Sequence, residues 1–433
     1  MTKDLTRGSV TGTMIVFALP MILGNFLQQC YNIADTLIVG HYLGAGALAA
    51  VGSAYTLMTF LTSILMGLCM GSGSVFSLYF GRGDLSRMGR SIPTAFVFIG
   101  SVTLVINVAV CLNVKGILRL LQVPADVFPL MEEYVRIIFL GIFFVFLYNF
   151  FSFLLRSVGN SVTPLYFLGG AAVLNIALDL WFVAGLHRGI AGAAEATVLA
   201  QMVSGLGLGL YTWVKEPSLR PRFGERAPGI LGEILRFSTA ACIQQSVMNF
   251  GILMIQGLVN SFGTAVMAAF AAAVKIDAFA YMPAQEFGSA FSLFTSQNHG
   301  AGAKDRVAQG VRSAVRVSVL FCLGVSALIF LTAPALMGIF IDRAQGEIIA
   351  IGAQYLRIEG AFYFGIGVLF LLYGYFRGIG RPEMSIVLTV ISLGTRVLLA
   401  YALAPVFGVE AIWWSIPIGW GLADLVGLLC LKK

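Results

Sequence analysis

The stretch Leu43-Gly44-Ala45-Gly46-Ala47-Leu48-Ala49-Ala50 returns 219 positions later as Phe262-Gly263-Thr264-Ala265-Val266-Met267-Ala268-Ala269, and Gly81-Arg82-Gly83 returns at the same offset as Gly300-Ala301-Gly302. Further along, Tyr134-Val135-Arg136-Ile137 and Arg156-Ser157-Val158-Gly159 recur as Tyr355-Leu356-Arg357-Ile358 and Arg377-Gly378-Ile379-Gly380, now 221 positions on. The drift marks a short insertion between the halves. One repeat of this length in an apolar chain predicts two related helical bundles facing each other, with the site between them.

Working outward, composition places the chain in a bilayer: 58% of its 433 residues are hydrophobic and only 11% charged, against about 25% charged in soluble domains. Apolar stretches long enough to cross a hydrocarbon core of about 30 Å fall near residues 13–38, 48–79, 92–113, 128–152, 164–186, 190–213, 233–258, 264–295, 312–333, 350–372, 383–404 and 408–431. The second and eighth are long enough to tilt or project. Backbone polar groups find no water in lipid, and runs this long and apolar satisfy them as helices. The expected fold is an all-α polytopic membrane protein, with twelve transmembrane helices in two six-helix lobes related by a parallel internal repeat.

With the N-terminus inside, seventeen Lys and Arg residues fall on the cytoplasmic side, among them Lys3, Arg7, Arg82, Arg87, Arg90, Arg226, Arg306, Arg312, Lys432 and Lys433, whereas the outer loops carry Lys115, Arg119, Arg188 and Arg343. That asymmetry predicts both termini in the cytoplasm, and it accounts for the net charge of +7 without a nucleic-acid partner. The Pro- and Arg-containing segment 214–232, with Pro217, Pro221 and Pro228, reads as a cytoplasmic linker between an N-terminal lobe, 1–213, and a C-terminal lobe, 233–433. The first apolar run exceeds a signal-peptide core and carries polar residues, so it is expected to remain in the mature protein. The six cysteines lie singly and read as buried free thiols.

No loop is large enough for a soluble catalytic domain, and no Walker A sequence is present. Gly205, Gly207 and Gly209 sit in the sixth span, where they let helices approach closely. His41, His187 and His299 lie in separate loops, a poor basis for a metal site.

Ionisable and amide residues inside the spans are costly there and are functional candidates by default. Asn25, Gln28, Asn32 and Asp35 follow steps of three, four and three along the first helix. They form one polar face, flanked by Tyr31, that must line a cavity or another helix. The fifth span supplies Asn175 and Asp179 at i and i+4; the sixth supplies Glu195 and Thr197. Helix rise puts Asp35, Asp179 and Thr197 at a common depth, roughly 5–10 Å below the outer surface. Two carboxylates, an amide and a hydroxyl at one level can hold a proton or a small cation, and two carboxylates in a low-dielectric site resist joint ionisation.

The seventh span, which answers to the first, carries a neutral polar face instead: Gln245, Asn249, Gln256 and Asn260. Charge in the second half falls on Lys275, Asp277, Glu286, Glu359, Arg396 and Asp424. Lys275, Asp277 and Arg396 come out near mid-membrane, a mixed-sign group that reads as a buried ion-pair network. Arg136 and Arg357, repeat mates, read as a shared structural anchor.

Pro20, Tyr31-Asn32-Ile33-Ala34-Asp35, Leu43-Gly44 with Ala47 to Ala50, the Gly81-x-Gly83-Asp84 loop, Asn175-Ile176-Ala177-Leu178-Asp179 and Gly189-Ile190-Ala191-Gly192, with their second-half mates, together resemble a multidrug and toxic compound extrusion (MATE) transporter over essentially the whole chain. The resemblance implies a cation-coupled efflux antiporter, not an enzyme, that exports amphipathic, often cationic compounds by alternating access. It is expected in a bacterial cytoplasmic membrane, working as a monomer among membrane lipids and without a cofactor beyond a coupling ion, H+ in preference to Na+. Similarity to the DNA-damage-inducible F-like branch implies Asp35, Asn175, Asp179 and Thr197 as the ion site. It further implies Gln28, Tyr31 and Asn149 as cavity residues beside Asn25, Asn32, Gln245, Asn249 and Gln256, and Pro20 as the bend of the first helix. The norfloxacin-efflux type places a glutamate in the seventh helix, where this chain has Gln245 and Asn249. A flippase for a lipid-linked sugar shares the superfamily plan and is the alternative, although the polar stripes here lack the cationic cavity that a pyrophosphate needs.

Overall fold

The computed structural model describes residues 4–121, 123–222 and 229–431, except the side chains of Ala45 and Thr56. Lys3, Arg226, Lys432 and Lys433 of the charge asymmetry, and Pro228 of the linker, lie outside the described residues. The described residues are helical almost throughout. In order they form α1 (Val10–Gly44), α2 (Gly46–Gly81), α3 (Leu85–Leu120), α4 (Phe128–Leu140), α5 (Ile142–Ser157), α6 (Val162–Asp179), α7 (Gly189–Lys215), α8 (Ile230–Asn260), α9 (Thr264–Gly300), α10 (Lys304–Phe340), α11 (Gly346–Gly360), α12 (Tyr363–Gly378), α13 (Glu383–Phe407) and α14 (Val409–Leu431). Ten of these are individually long and apolar enough to cross a membrane, and the pairs α4/α5 and α11/α12 complete twelve spans.

The repeated glycines mark the joints. Gly44 (φ 82°) separates α1 from α2, and its mate Gly263 (φ 98°) precedes α9. Both occupy a region that an L side chain adopts only under strain, so the Leu/Phe-Gly repeat encodes a chain reversal rather than a packing contact. At Gly83 and Gly302 the same applies to the turns into α3 and α10. Asp84 caps α3, its Oδ1 accepting the Arg87 N–H at 2.9 Å.

Two features refine the expected plan of spans. The fourth and tenth apolar runs are not straight spans: α4 and α5 meet at a 45° bend, α11 and α12 at a 51° bend. A Cβ on Gly141 would stand 2.7 Å from the Val198 side chain, so the first bend sits where a glycine lets α7 press against the chain. The long helices also include α3 and α10, with 36 and 37 residues, beside α2 and α9. At 1.5 Å per residue each exceeds the hydrocarbon core by roughly 25 Å.

The chain forms two compact units. Leu23–Cys242 forms the body of the first; Leu5–Ile22 joins Ile243–Lys433 in the second. The first third of α1, with Met14, Phe17, Ala18 and Met21 buried against Phe287, Ala290, Phe291 and Phe294, thus belongs to the second unit's core. α1 passes between units just beyond Pro20, which lacks the N–H that would tie it to Val16. Within the first unit the α7 glycines do what their small size permits: a Cβ on Gly205 would lie 2.6 Å from the Phe144 carbonyl, and on Gly209 it would lie 2.8 Å from the Phe151 ring.

Candidate functional site: a buried acidic pair in the first unit

Asp35 on α1 and Asp179 at the end of α6 approach within hydrogen-bonding reach of each other. Asp35 is 9% exposed, Asp179 fully buried and Asn175 2% exposed. Asn175, one turn before Asp179, donates from Nδ2 to Thr197 Oγ1 at 3.4 Å, which draws α7 into the group. The geometry therefore gathers Asp35, Asn175, Asp179 and Thr197 in one place.

What these atoms lack is as informative as what they touch. Asp35 Oδ1, both oxygens of Asp179 and Asn175 Oδ1 are buried acceptors that receive no hydrogen bond. Each unmet acceptor costs about 1–3 kcal/mol, a demand that positive charge or a donor would meet. A proton shared between the carboxyls, or a small cation held by carboxylate, amide and hydroxyl oxygens, meets that demand. Among the described residues there is no group of three or more His, Cys, Asp and Glu that could hold a metal ion.

Around the pair stands a set of phenols. Tyr31 lies close to Asp35, Gln28, Tyr55 and Tyr148. Tyr134 on α4, buried, lies close to Asp35, Asp179 and Tyr31. In the sequence Tyr134 stands out only as a repeat mate of Tyr355. No signal in the sequence sets either phenol on an acid; Tyr355 also sits on one, as described below. Gln28 is exposed, whereas Asn25, Tyr31 and Asn32 are half-buried along the same helix. Asn149, half-buried on α5, spends its amide on the Val145 carbonyl at 2.9 Å. Glu195, the extra acid of the sixth span, is no part of the cluster: it forms a two-bonded ion pair with Arg188, at 2.7 and 2.9 Å.

The second unit holds a different buried group. Tyr363 donates to Asp277 Oδ1 at 2.5 Å and Tyr355 to Oδ2 at 3.5 Å. Glu359 and Arg396 lie close to Asp277, and all three are buried. Phe270 and Trp413, stacked 5.5 Å apart, wall the group with Tyr355. The expected grouping of Lys275 with Asp277 and Arg396 is corrected: Lys275 is exposed, because residues two apart on a helix point to opposite sides. At the spacing that carries Tyr134 onto Tyr355, Asn175 falls on Arg396, so a guanidinium stands where the first half has a neutral amide.

On α8, Gln245 and Asn249 are half-buried, and Gln256 donates to Asn260 at 2.8 Å. The adjacent Gln244 is the deeply buried amide, with an unmet Oε1. Arg136 and Arg357 do not share an anchor. The first pairs with Glu132 at 2.9 Å; the second donates to the Phe330 carbonyl at 3.3 Å. Of the cysteines only Cys69 and Cys322 are buried, while Cys30 is exposed and Cys111, Cys242 and Cys430 are half-buried.

Comparison with known proteins matches this architecture. The MatE family model fits residues 20–181 and again 240–402, once in each half. The chain is 33% identical, over 90% of its length and 87% of the relative's, to the probable multidrug resistance protein YpnP of Bacillus subtilis. It is 28% identical to the probable multidrug resistance protein NorM of Thermotoga maritima, over 97% of this chain and 90% of that one. A solved MOP-superfamily transporter from Pyrococcus furiosus shares the fold, with a TM-score of 0.92 at 24% identity over 98% of this chain and 96% of that one. With the family pattern matched in both halves and a third of its residues shared with such a relative, the chain belongs to the MATE family of multi-pass membrane transporters.

Proposed function

We propose that the protein is a proton-coupled multidrug exporter whose ion site is Asp35 with Asp179, supported by Asn175 and Thr197. The observation that carries this reading is the set of unmet buried acceptors on Asp35, Asp179 and Asn175. The printed names of the relatives, multidrug resistance proteins, support export of drugs as the task. Amphipathic cations suit polar residues that are neutral or acidic, here Asn25, Gln28, Tyr31, Asn32 and Asn149 in the first unit and Gln245, Asn249 and Gln256 in the second. The same residues argue against a lipid-linked pyrophosphate as cargo, since such a cargo needs cationic partners.

In this reading both termini are cytoplasmic, and the branch that couples through its N-terminal lobe is the one the chain follows. A proton entering from outside neutralises the Asp35–Asp179 pair, removes the drug's counter-charge and changes how α1 packs beyond Pro20. Exporting a monovalent cation against a tenfold gradient and about 100 mV costs roughly 1.4 plus 2.3 kcal/mol, and one proton entering down one pH unit and the same potential returns about as much. The test is uptake of a fluorescent cation into inverted vesicles, under an imposed pH gradient in sodium-free buffer and under an imposed sodium gradient alone. Uptake in the first condition is expected. Background signal there with uptake on sodium alone makes the cluster a sodium site and defeats the assignment.

A further inference from the structure

Away from the acidic pair, the second unit contains a cavity of about 320 Å³ lined by Thr11 of α1 and by Gln309, Arg312, Ser313, Arg316 and Val317 of α10. We infer that this cavity is a binding site for the headgroup of an anionic phospholipid of the cytoplasmic leaflet, with its phosphate held between Arg312 and Arg316.

The chemistry of the lining is one-sided. Two guanidiniums one helical turn apart, two hydroxyls and an amide converge on it, and no carboxylate lines it. Both arginines are exposed, so neither is committed to a buried partner, and guanidinium is the side chain best matched to a phosphate's paired oxygens. Basic pockets between helices on the cytoplasmic side of a membrane protein are where anionic headgroups bind.

The depth fits a headgroup. Arg312 lies eight residues into α10, about 12 Å from its start. α10 is roughly 25 Å longer than a hydrocarbon core needs. With the termini inside, as proposed above, its first turns stand in the cytoplasmic interface. Beyond Arg316 the same face of α10 continues as Leu320 and Leu323, 71% and 48% exposed, and beyond Thr11 the face of α1 continues as Ile15 and Leu19, 42% and 52% exposed. These two apolar rows leave the cavity toward mid-membrane, where the acyl chains of a seated lipid would lie.

The wall is prebuilt. Thr11 Oγ1 and Ser313 Oγ are 2.6 Å apart across the two helices. Arg306 donates to the carbonyls of Leu5, Arg7 and Gly8 at 3.2, 2.8 and 2.8 Å, Gln297 Oε1 accepts the Leu5 N–H at 3.1 Å and Asn298 donates to the Leu5 carbonyl at 3.2 Å. The start of α1 is thereby fixed to α9 and α10 without using either arginine of the cavity. Nor does the repeat supply the charge. At the offset that relates Gly81 to Gly300, Arg312 and Arg316 answer to Pro93 and Val97 of α3, and Val97 is 65% exposed. Membrane insertion of the first half manages with apolar residues there, so the arginines of the second half serve something local.

The test titrates dioctanoyl phosphatidylglycerol against the purified full chain in detergent and reads binding by thermal stabilisation and by native mass spectrometry. Dioctanoyl phosphatidylcholine and glycerol 3-phosphate serve as comparators. Saturable binding of the anionic lipid is expected, weakened about thirtyfold in Arg312→Gln/Arg316→Gln, since each interfacial arginine contributes about one factor of five. Neither comparator should bind at the same concentrations. Unchanged affinity in the double variant overturns the proposal, as does equal binding of phosphatidylcholine. Equal binding of glycerol 3-phosphate also overturns it, by making this a site for a soluble phosphate. Should the double variant fail to fold, Val317→Trp, which fills the cavity and keeps both charges, decides the matter: lipid binding that survives it sinks the assignment.

Discussion

Asp35 and Asp179, from helices far apart in sequence, share one buried space in which three of their four carboxylate oxygens have no donor. Two like charges that close in a low-dielectric setting resist joint ionisation, and on the proposed reading a proton or a cation stands between the members of the pair. Carboxyl and carboxamide have nearly the same shape. Asp35→Asn should therefore insert and fold, with unchanged elution on size exclusion, yet reduce gradient-driven uptake into inverted vesicles to background. Wild-type rates in a folded Asp35→Asn protein would remove this residue from the coupling step.

Asp179→Asn isolates the second member. With one titrating group in place of an interacting pair, a transport rate that depends on pH in two steps should collapse to one. The measurement is initial rate against external pH in sodium-free buffer. An unaltered profile would mean that Asp179 is a spectator.

Tyr134 packs beside both acids and Tyr31. Tyr134→Phe keeps the ring in the core and withdraws only the hydroxyl, a loss of about 1 kcal/mol where a phenol serves a carboxyl, so uptake should fall roughly fivefold without loss of expression. No change in rate or in pH profile would leave Tyr134 a packing residue alone.

The twelve spans were legible because hydropathy over such lengths has one physical meaning, whereas the repeated glycines show themselves as joints only through their backbone angles. Apolar length must span, and at Gly44 and Gly263 the chain turns at positive φ. The candidate acids were legible for a related reason, since charge within an apolar run always needs an account. What could not be read was partnership. Glu195 pairs with Arg188 at the start of its own helix, and the acid buried beside Asp277 is Glu359, while Lys275 lies on the opposite side of α9. Depth along a helix follows from counting residues; which way each helix is rotated about its own axis is set by packing that no local pattern records. The bends at Gly141 and at Ala361–Phe362 escaped for the same reason: a glycine inside an apolar run is equally compatible with a straight helix until the neighbouring Val198 is known.

Gly205 offers a direct check of helix contact in the first unit. A Cβ there would stand 2.6 Å from the Phe144 carbonyl, a backbone atom that cannot swing aside. Gly205→Val should cost about 1–3 kcal/mol, lowering the melting temperature of the detergent-purified protein by several degrees. An unshifted melting curve would show that α5 and α7 are held less closely than this.

Arg396 poses the question of what the second unit's charges do. Asp277 is already served by Tyr363 and Tyr355, so Arg396 balances a group containing two buried acids, Asp277 and Glu359. Removing one partner of such a network strands the others, at a cost of about 3–5 kcal/mol. Arg396→Leu should accordingly lose most of its folded yield and melt well below wild type. Adding Asp277→Asn to Arg396→Leu should recover much of that loss, because the remaining acid can be neutralised by a proton and the amide still accepts from Tyr363. A structural network predicts this rescue of stability together with rescue of drug uptake. If stability returns and uptake does not, Asp277 or Arg396 takes part in transport itself, and the division between a coupling first unit and a structural network in the second fails.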